Sequence, residues 1–196
     1  DSRRFTHLRL NIFPDGGVAR LRVYGRASPD RARLAAAGEV DLASAENGGL
    51  VVAASDMFFG SRHNLILPGA PQGMHDGWET RRRRGPGHDW AIVRLGLPGR
   101  IRRLSVDTTH FKGNAPGSCW IDVSDAPEET ELSALLSPEE TSWRELLPRV
   151  PLKPHAMHEF AKELRTDGGP ATHARLNIHP DGGVARLRLW GAIAGP

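Results

Sequence analysis

The chain has 196 residues, and its 26 lysine and arginine side chains nearly balance 23 aspartate and glutamate side chains, leaving a formal net charge of +3. A nucleic-acid-binding domain usually carries a strong basic excess, so we expect no nucleic-acid partner. The single cysteine, Cys119, excludes an internal disulfide and favours a reducing, cytoplasmic location. Nothing resembles a signal peptide and no apolar run approaches transmembrane length, so we expect no membrane contact.

One stretch of sequence occurs twice. Residues 6–25 and 172–191 are identical at 16 of 20 positions and lie 166 residues apart. This spacing has the size of a whole domain and is too long for a solenoid unit. We therefore predict three parts: the terminal β-hairpin of a truncated first repeat at 1–26, a helical linker at 27–45, and a complete second repeat at 46–196.

Each copy alternates apolar and polar residues on both sides of a Pro-Asp-Gly-Gly turn, a pattern typical of a β-hairpin. In the linker, a short helix is predicted from Ser28 as N-cap, Pro29 at the first helical position and Gly38 as terminator. The second repeat is then expected to open with a strand at 50–52.

From Trp90 onward the pattern favours β-structure. Strands are predicted at 91–96, 101–107 and 119–123, with the Pro-Gly pair at 98–99 as the turn between the first two. Many short strands separated by turn signals indicate an all-β fold, an antiparallel β-sandwich with one or two short helices.

One helix is predicted within this β-rich part, beginning with a capping box at Ser137 and ending at Pro148. In the closing copy of the repeated stretch, His173, Arg175 and Asn177 alternate with three apolar residues. We expect the apolar face of this strand to point into the core and the polar face to point towards water; the alternative is that the polar face lines a site.

Longer motifs resemble known families. The pattern of Asp76-Gly77, Thr80, residues 90–96, 101–106 and 187–191 is similar to that of galactose-binding/discoidin-like jelly rolls. More specific motifs resemble the repeat of the allantoicase family, in the family's order along nearly the whole chain; they lie at 54–59, 64–69, 76–84, 87–90, 107–114 and 172–191. The resemblance implies an antiparallel jelly-roll β-sandwich.

The resemblance also implies a hydrolase of purine degradation, which converts allantoate to ureidoglycolate and urea without an organic cofactor. Two tandem jelly-roll modules would assemble into homo-oligomers. Because the first module is represented here only by its last hairpin, we expect any site that both modules share to be incomplete in this chain, and activity to belong to the full-length form. The alternative is a non-catalytic jelly-roll ligand-binding module, since one fold hosts many functions.

Allantoate is a carboxylate whose α-carbon carries two ureido groups, so it calls for an arginine fork and polar partners. A strand through the arginine run (residues 81–84) would place Arg81 and Arg83 on one face, with Asp76 and Trp78 as further substrate contacts and Glu79 in the catalytic set. The alternative is an exposed basic edge paired with the acidic residues and a packed tryptophan.

A second cluster follows a strand that has a buried pattern. His110 is the first choice for acid–base catalysis, with Asp107 or Lys112 beside it and Asn114 as a substrate contact. The alternative is a turn in which His110 is merely hydrogen-bonded. Departure of urea needs a general acid and addition of water needs a general base, whether the reaction is stepwise or direct.

Several side chains of types that bind metal ions are present, but their spacing does not indicate a metal site. The chain has nine histidines, and Asp56, His63, His75 and Asp76 offer suitable ligand types, but no recognised zinc spacing occurs on a helix. We therefore predict neither a metal nor any other cofactor.

Overall fold

The computed structural model describes residues 3–25 and 27–194, so the outermost ends of the first and last predicted parts lie outside it. Two short α-helices are present in the described residues, α1 (Arg31–Ala36) and α2 (Leu132–Leu136). Ten strands follow in chain order: β1 (Val40–Asp41), β2 (Leu50–Ala54), β3 (Trp78–Glu79), β4 (Asp89–Asp107), β5 (Ser118–Ser124), β6 (Arg144–Pro151), β7 (Met157–Phe160), β8 (Ala171–His179), β9 (Gly183–Val184) and β10 (Arg186–Ile193). No helix in these residues is long and apolar enough to cross a lipid bilayer.

Eight of these ten strands form two antiparallel layers that share β4, and β3 and β9 form a separate antiparallel pair. Residues 89–94 of β4 pair with β2 and β8, and the layer continues through β5 to β6. Residues 99–107 pair with β10, which also pairs with β1, and 104–107 pair with β7 on the other side. The predicted all-β antiparallel sandwich with short helices is confirmed.

The predicted turn at 98–99 is wrong, because β4 runs unbroken from Asp89 to Asp107. Gly99 opposes both Ala171 on β8 and Ile193 on β10. A side chain there would meet the carbonyl oxygen of Ala192, since a Cβ would lie 2.5 Å from it. Glycine at this position therefore allows β4 and β10 to approach closely, and pairing on both sides keeps the backbone extended.

The core lies between the layers and is built from alternating strand residues. Ala174, Leu176 and Ile178 are all 0% exposed, which confirms the predicted apolar face of β8. The expectation for the opposite face was wrong, because His173 and Asn177 are also buried. That outer face is covered by a small apolar cluster in which Leu135 of α2 packs with residues of β2 and β4.

The predicted helix from Ser137 to Pro148 is also wrong. Residues 144–151 form β6 and pair with β5, while the helix lies earlier, at α2. The hydroxyl of Thr141 donates to the carbonyl of Ala134 at 2.8 Å, and the indole of Trp143 donates to that of Leu135 at 3.1 Å, which fold the segment back on α2. Pairing with a neighbouring strand overrides the local capping signal.

The linker helix forms close to where it was predicted, although Asp30 rather than Ser28 caps it. The Asp30 carboxylate accepts from the N–H of Arg33 at 3.0 Å, and Gly38 follows the helix with φ of +77°. The first strand of the sandwich, β1, already lies inside the predicted linker and pairs with β10. The division of the chain into three parts stays a prediction.

The predicted hairpins do not form in either copy of the repeated stretch. Residues 3–25 contain no strand and are exposed throughout. In the second copy, β8 and β10 pair with different parts of β4 and not with each other. The strand pattern was therefore correct for the second copy, but the partner strand was not.

Candidate active site

Several loops meet at one end of the sandwich. Ile178 opposes Asp89 at the start of β4, and Arg186 opposes Asp107 at its end. Residues 179–185 connect these two positions and contact both ends of β4: the N–H of Ala185 donates to the carbonyl of Asp107 at 2.7 Å, and Asp181 accepts from the N–H of Arg83, whose side chain pairs with Asp89. The loops that flank β4 therefore meet at this end of the sandwich.

Hydrogen bonds join these loops directly. The N–H of Thr80 donates to the carbonyl of Gly182 at 3.2 Å, and that of Gly183 donates to the carbonyl of Asn114 at 2.8 Å. The N–H of Arg83 donates to the carboxylate of Asp181 at 2.9 Å. The arginine run and the loop after β4 are thus both fixed to the turn between β8 and β10.

The arginine run borders a cavity of about 310 Å³, which we call the arginine cavity; its lining is Ser55, Asp56, Arg81, Arg82, Arg83, Arg84, Gly85 and Asp89. The predicted alternation of faces is wrong, because residues 81–84 do not form a strand and all four arginines line this one cavity. Thr80, the residue before the arginine run, is held by Gly182: its hydroxyl accepts from the N–H of Gly182, and its own N–H donates to the carbonyl of Gly182.

Two of the arginines are held by carboxylates. Arg81 donates through Nε and Nη2 to Oδ1 of Asp56 at 3.1 and 3.0 Å, and its backbone N–H donates to Oδ2 at 2.7 Å. Burial raises the pKa of Asp56, but the backbone N–H groups of Arg81 and Phe58 and the Arg81 guanidinium outweigh it, so its pKa lies below the usual value. Arg83 pairs with the buried Asp89.

The cavity has a positive charge. Four guanidinium groups and two carboxylates line it, which leaves a formal charge of +2. Arg82 and Arg84 are exposed, and neither has an ion-pair partner within residues 3–25 and 27–194. Two cationic groups are therefore available to an anionic ligand.

His110 lies in the loop after β4 in a left-handed conformation, with φ of +74°, which is uncommon for a residue with a side chain. Its backbone N–H donates to Nδ1 of His155 at 2.8 Å, and its Nε2 lies 3.0 Å from the carbonyl oxygen of Pro71. Because a carbonyl only accepts, Nε2 must carry a proton. The predicted acid–base residue is thus held in the tautomer that carries its proton on Nε2.

Glu79 and Asn114, predicted from two separate clusters, are brought together. The side-chain amide of Asn114 donates to Oε1 of Glu79. Glu79 also pairs through its backbone with Gly183 and with Gly60, so the backbone that carries its carboxylate is held in place. Glu79 lies two residues before Arg81 in the chain and is not one of the residues that line the arginine cavity.

The other predicted site residues are mostly buried or paired within the protein. Trp78 is 0% exposed, and its indole donates to the carbonyl of Asp56 at 2.8 Å, so its predicted substrate contact is corrected to a packing role. Asp107 is buried, and its carboxylate accepts from the N–H of Thr109 at 2.8 Å, which makes it a turn cap. Asp76 pairs with Arg186 at 2.7 Å, and Lys112 is exposed.

Several residues of this region were not predicted from the sequence to belong to the site. Asp56, Asp89 and Ser55 line the arginine cavity, and His155 supports His110. Asp56 and Ser55 lie in one of the family motifs, which was a usable signal. Nothing in the spacing indicated which arginine each aspartate would bind.

The arrangement has no evident metal centre. In the part of the chain that the structure describes, no three His, Cys, Asp or Glu side chains group closely enough to hold a metal ion. The expectation that the protein needs no metal stays a prediction.

Comparisons with known proteins give one consistent result. The family model for the allantoicase repeat matches residues 1–28 and 40–194. The chain is 51% identical to an allantoicase of Dictyostelium discoideum over 95% of its own length and 50% of that protein. It is 53% identical to a probable allantoicase of Pseudomonas aeruginosa over 98% of its own length and 57% of that protein. The chain thus spans about half the length of the curated relatives it matches.

Solved structures agree with this result. Allantoicase from Saccharomyces cerevisiae superposes with a TM-score of 0.73 at 38% identity, over 91% of this chain and 49% of that one. A family 32 carbohydrate-binding module from C. perfringens, solved with galactose, has a TM-score of 0.54 at 10% identity, over 78% of this chain and 98% of that one. The second likeness shows the jelly-roll fold alone, whereas the first agrees with the family match. The chain belongs to the allantoicase family.

Proposed function

We propose that the protein hydrolyses allantoate to ureidoglycolate and urea, and that the arginine cavity binds the substrate carboxylate. The observation that carries the proposal is the formal charge of +2 on a cavity lined by four arginines in a chain of this family. Arg82 and Arg84 offer guanidinium donors, and Arg81, which Asp56 orients through Nε, Nη2 and the backbone N–H, offers Nη1 to the substrate carboxylate. Allantoate has about a dozen non-hydrogen atoms, and a volume of about 310 Å³ suits a ligand of that size.

The proton transfers are assigned to Glu79 and His110. Departure of urea requires a proton at the leaving nitrogen, and hydration of the carbon requires a base for water. His110 is held in one tautomer by the carbonyl of Pro71, and the carboxylate of Glu79, two residues before Arg81 in the chain, is oriented by Asn114. Stepwise loss of urea through an acylimine and direct displacement by water both use the same two transfers.

Residues 6–25 are assigned to a preceding jelly-roll repeat, in which they would form the two strands that correspond to β8 and β10. This is supported by the break in the family match between residues 28 and 40. The complete protein would then have two such modules, assemble as a homo-oligomer and act in the cytoplasm. The single cysteine leaves no partner for an internal disulfide, which is consistent with a reducing compartment.

The direct test measures urea release from allantoate by the 196-residue chain and by the protein that the intact gene encodes. In whichever form is active, Arg81→Ala should lower kcat/KM about 10- to 100-fold, because a charge-assisted contact to the carboxylate is lost. The matched control is Arg165→Ala, since Arg165 is as exposed as Arg81 (64% against 65%) and also pairs with a carboxylate. It should leave kcat/KM unchanged.

The acid–base assignment has its own test in the same assay. His110→Ala should lower kcat by about 100-fold or more, far beyond the effect of Arg84→Ala, because proton transfer contributes to the rate itself. Equal effects would remove His110 from that role. Saturable sugar binding without any urea release, in both forms of the protein, would favour the non-catalytic binding module.

A further inference from the structure

Asp89 lines the arginine cavity with an unusual pattern of contacts. The residue is only 2% exposed, and it opens β4. Its Oδ1 accepts from the hydroxyl of Ser55 at 2.9 Å and from Nη2 of Arg83. The Ser55 oxygen in turn accepts from the N–H of Trp90 at 3.0 Å, so the hydroxyl proton can only point towards Asp89.

The second oxygen of Asp89, Oδ2, is not used. In the described part of the chain no donor reaches Oδ2. The atom is nevertheless not fully enclosed by protein, so it keeps access to the cavity. A ligand that covered this oxygen without donating to it would leave a buried acceptor unpaired, which is costly, whereas a ligand donor would satisfy it. Its partner Arg83 is also incompletely satisfied, because its Nε is buried and without an acceptor.

The carboxylate of Asp56, which also lines the cavity, has no oxygen left open to a ligand. Both oxygens of Asp56 are occupied, Oδ1 by the Arg81 guanidinium and Oδ2 by the N–H groups of Arg81 and Phe58. Of the two carboxylates in the lining, Asp89 is therefore the one with an oxygen open to a ligand.

We infer that Asp89 is the specificity-determining residue for the ureido group, an inference that rests on the proposed function. Its Oδ2 accepts an N–H of the terminal NH₂ of a substrate ureido group, while the neighbouring guanidinium groups hold the carboxylate. The site thereby distinguishes a ureide from an amide of the same shape, because the amide leaves the carboxylate oxygen unpaired.

Two small isosteric ligands test this on the chain itself. N-carbamoylglycine has the carboxylate and one ureido group, and N-acetylglycine replaces its terminal NH₂ with a methyl group. Calorimetric titration of the 196-residue chain should give at least about tenfold tighter binding of N-carbamoylglycine. Asp89→Asn should reduce this ratio to within about twofold, because Ser55 and Arg83 fix the amide oxygen at the Oδ1 position. The amide NH₂ then faces the ligand and replaces an acceptor by a donor.

The control variant is Asp122→Asn, which alters an aspartate paired with Arg175 at 2.9 Å outside the cavity lining. It should keep the wild-type ratio. If Asp89→Asn does not fold, N-carbamoylglycine dimethylated on its terminal nitrogen tests the same oxygen in the wild type. That ligand lacks both donors and should bind at least about tenfold more weakly than the parent.

The outcomes separate this inference from the proposed function. A wild-type chain that binds neither ligand, or binds both equally, overturns the inference, as does an unchanged ratio in Asp89→Asn. If urea release from allantoate is observed in such a case, the proposed function stands without it. If the ratio responds as expected but no form of the protein releases urea, the site recognises ureides and the proposed hydrolysis is wrong.

Discussion

The two copies of the repeated stretch have nearly the same sequence and opposite surroundings. Residues 172–191 supply β8 and β10, which flank β4 near the centre of the sandwich, and Leu176 and Leu187 are 0% exposed. Residues 6–25 are exposed and form no strand, and the equivalent Leu10 and Leu21 are 51% and 58% exposed. The alternating pattern is therefore not enough to make a strand, because a strand is stabilised by its neighbours.

Some local features are nevertheless the same in both copies. Gly16 and Gly182, which follow the aspartate of each turn, have φ of +135° and +131°. The hydroxyl of Thr6 lies 2.9 Å from Nδ1 of His7, and the corresponding distance from Thr172 to His173 is 3.0 Å. Contacts between residues adjacent in sequence do not need the sheet, whereas strands do.

Limited trypsin digestion should give the largest difference between the copies. The three arginines within the first copy, Arg9, Arg20 and Arg22, are exposed and outside any strand. Their counterparts Arg175, Arg186 and Arg188 lie in β8 and β10. Because cleavage of the second copy needs unfolding of the sandwich, the first copy should be cut at least about a thousandfold faster, as followed by mass spectrometry. Comparable rates would mean that residues 6–25 are protected by a partner.

Truncation of one equivalent leucine in each copy should give the next largest difference. Leu176→Ala removes a side chain that is 0% exposed and should lower the free energy of unfolding by about 3 kcal/mol. Leu10→Ala, at a residue that is 51% exposed, should change it by less than about 0.5 kcal/mol. Urea denaturation of both variants measures the difference. A large effect of Leu10→Ala would show that the first copy has a packed environment in solution.

The equivalent histidines should differ in how they couple stability to pH. Burial, helped by the charge of Arg94, lowers the pKa of His173 from 6.5 to about 4. The unfolded chain therefore binds more protons between these values, and stability is lost as the pH falls from 6.5 towards 4. The loss between pH 8 and pH 5 should be about 2 kcal/mol. His173→Gln should flatten this part of the stability curve, and His7→Gln should not. An equal dependence of stability on pH in the two variants would contradict the assignment of this effect to His173.

The fold was predictable from the sequence where alternation and partner strands agree. The apolar face formed by Ala174, Leu176 and Ile178 was predicted correctly, as were strands at 50–52 and 119–123. The helix after Ser137 was wrong, because pairing with β5 at a distance in sequence decides its structure. Capping and turn signals act over a few residues, so they lose to such pairing.

The site was only partly predictable for a related reason. The arginine run was conspicuous in composition, and the pairing of Glu79 with Asn114 joined two predicted clusters. Which carboxylates hold the arginines was not predictable, since Asp56 precedes Arg81 by 25 residues and meets it only through the fold. The catalytic and binding roles themselves remain predictions.

The smallest expected effect concerns one of the four positions at which the copies differ. Leu8 in the first copy corresponds to Ala174, which is 0% exposed and lies between Val93 of β4 and Val123 of β5. Ala174→Leu adds three carbons to a closed site and should lower the free energy of unfolding by about 1–2 kcal/mol, since neighbours can shift partly. Leu8→Ala, the reverse change at an exposed position, should alter it by less than about 0.5 kcal/mol.

Urea denaturation at neutral pH measures both changes. If Ala174→Leu is neutral, the sandwich has room for the first copy's side chain at this position, and the two stretches could exchange places. A measurable loss instead means that Leu8 does not fit beside Val93 and Val123. It would then belong to a sheet with smaller residues opposite it, so residues 6–25 would be specific for a different set of partner strands.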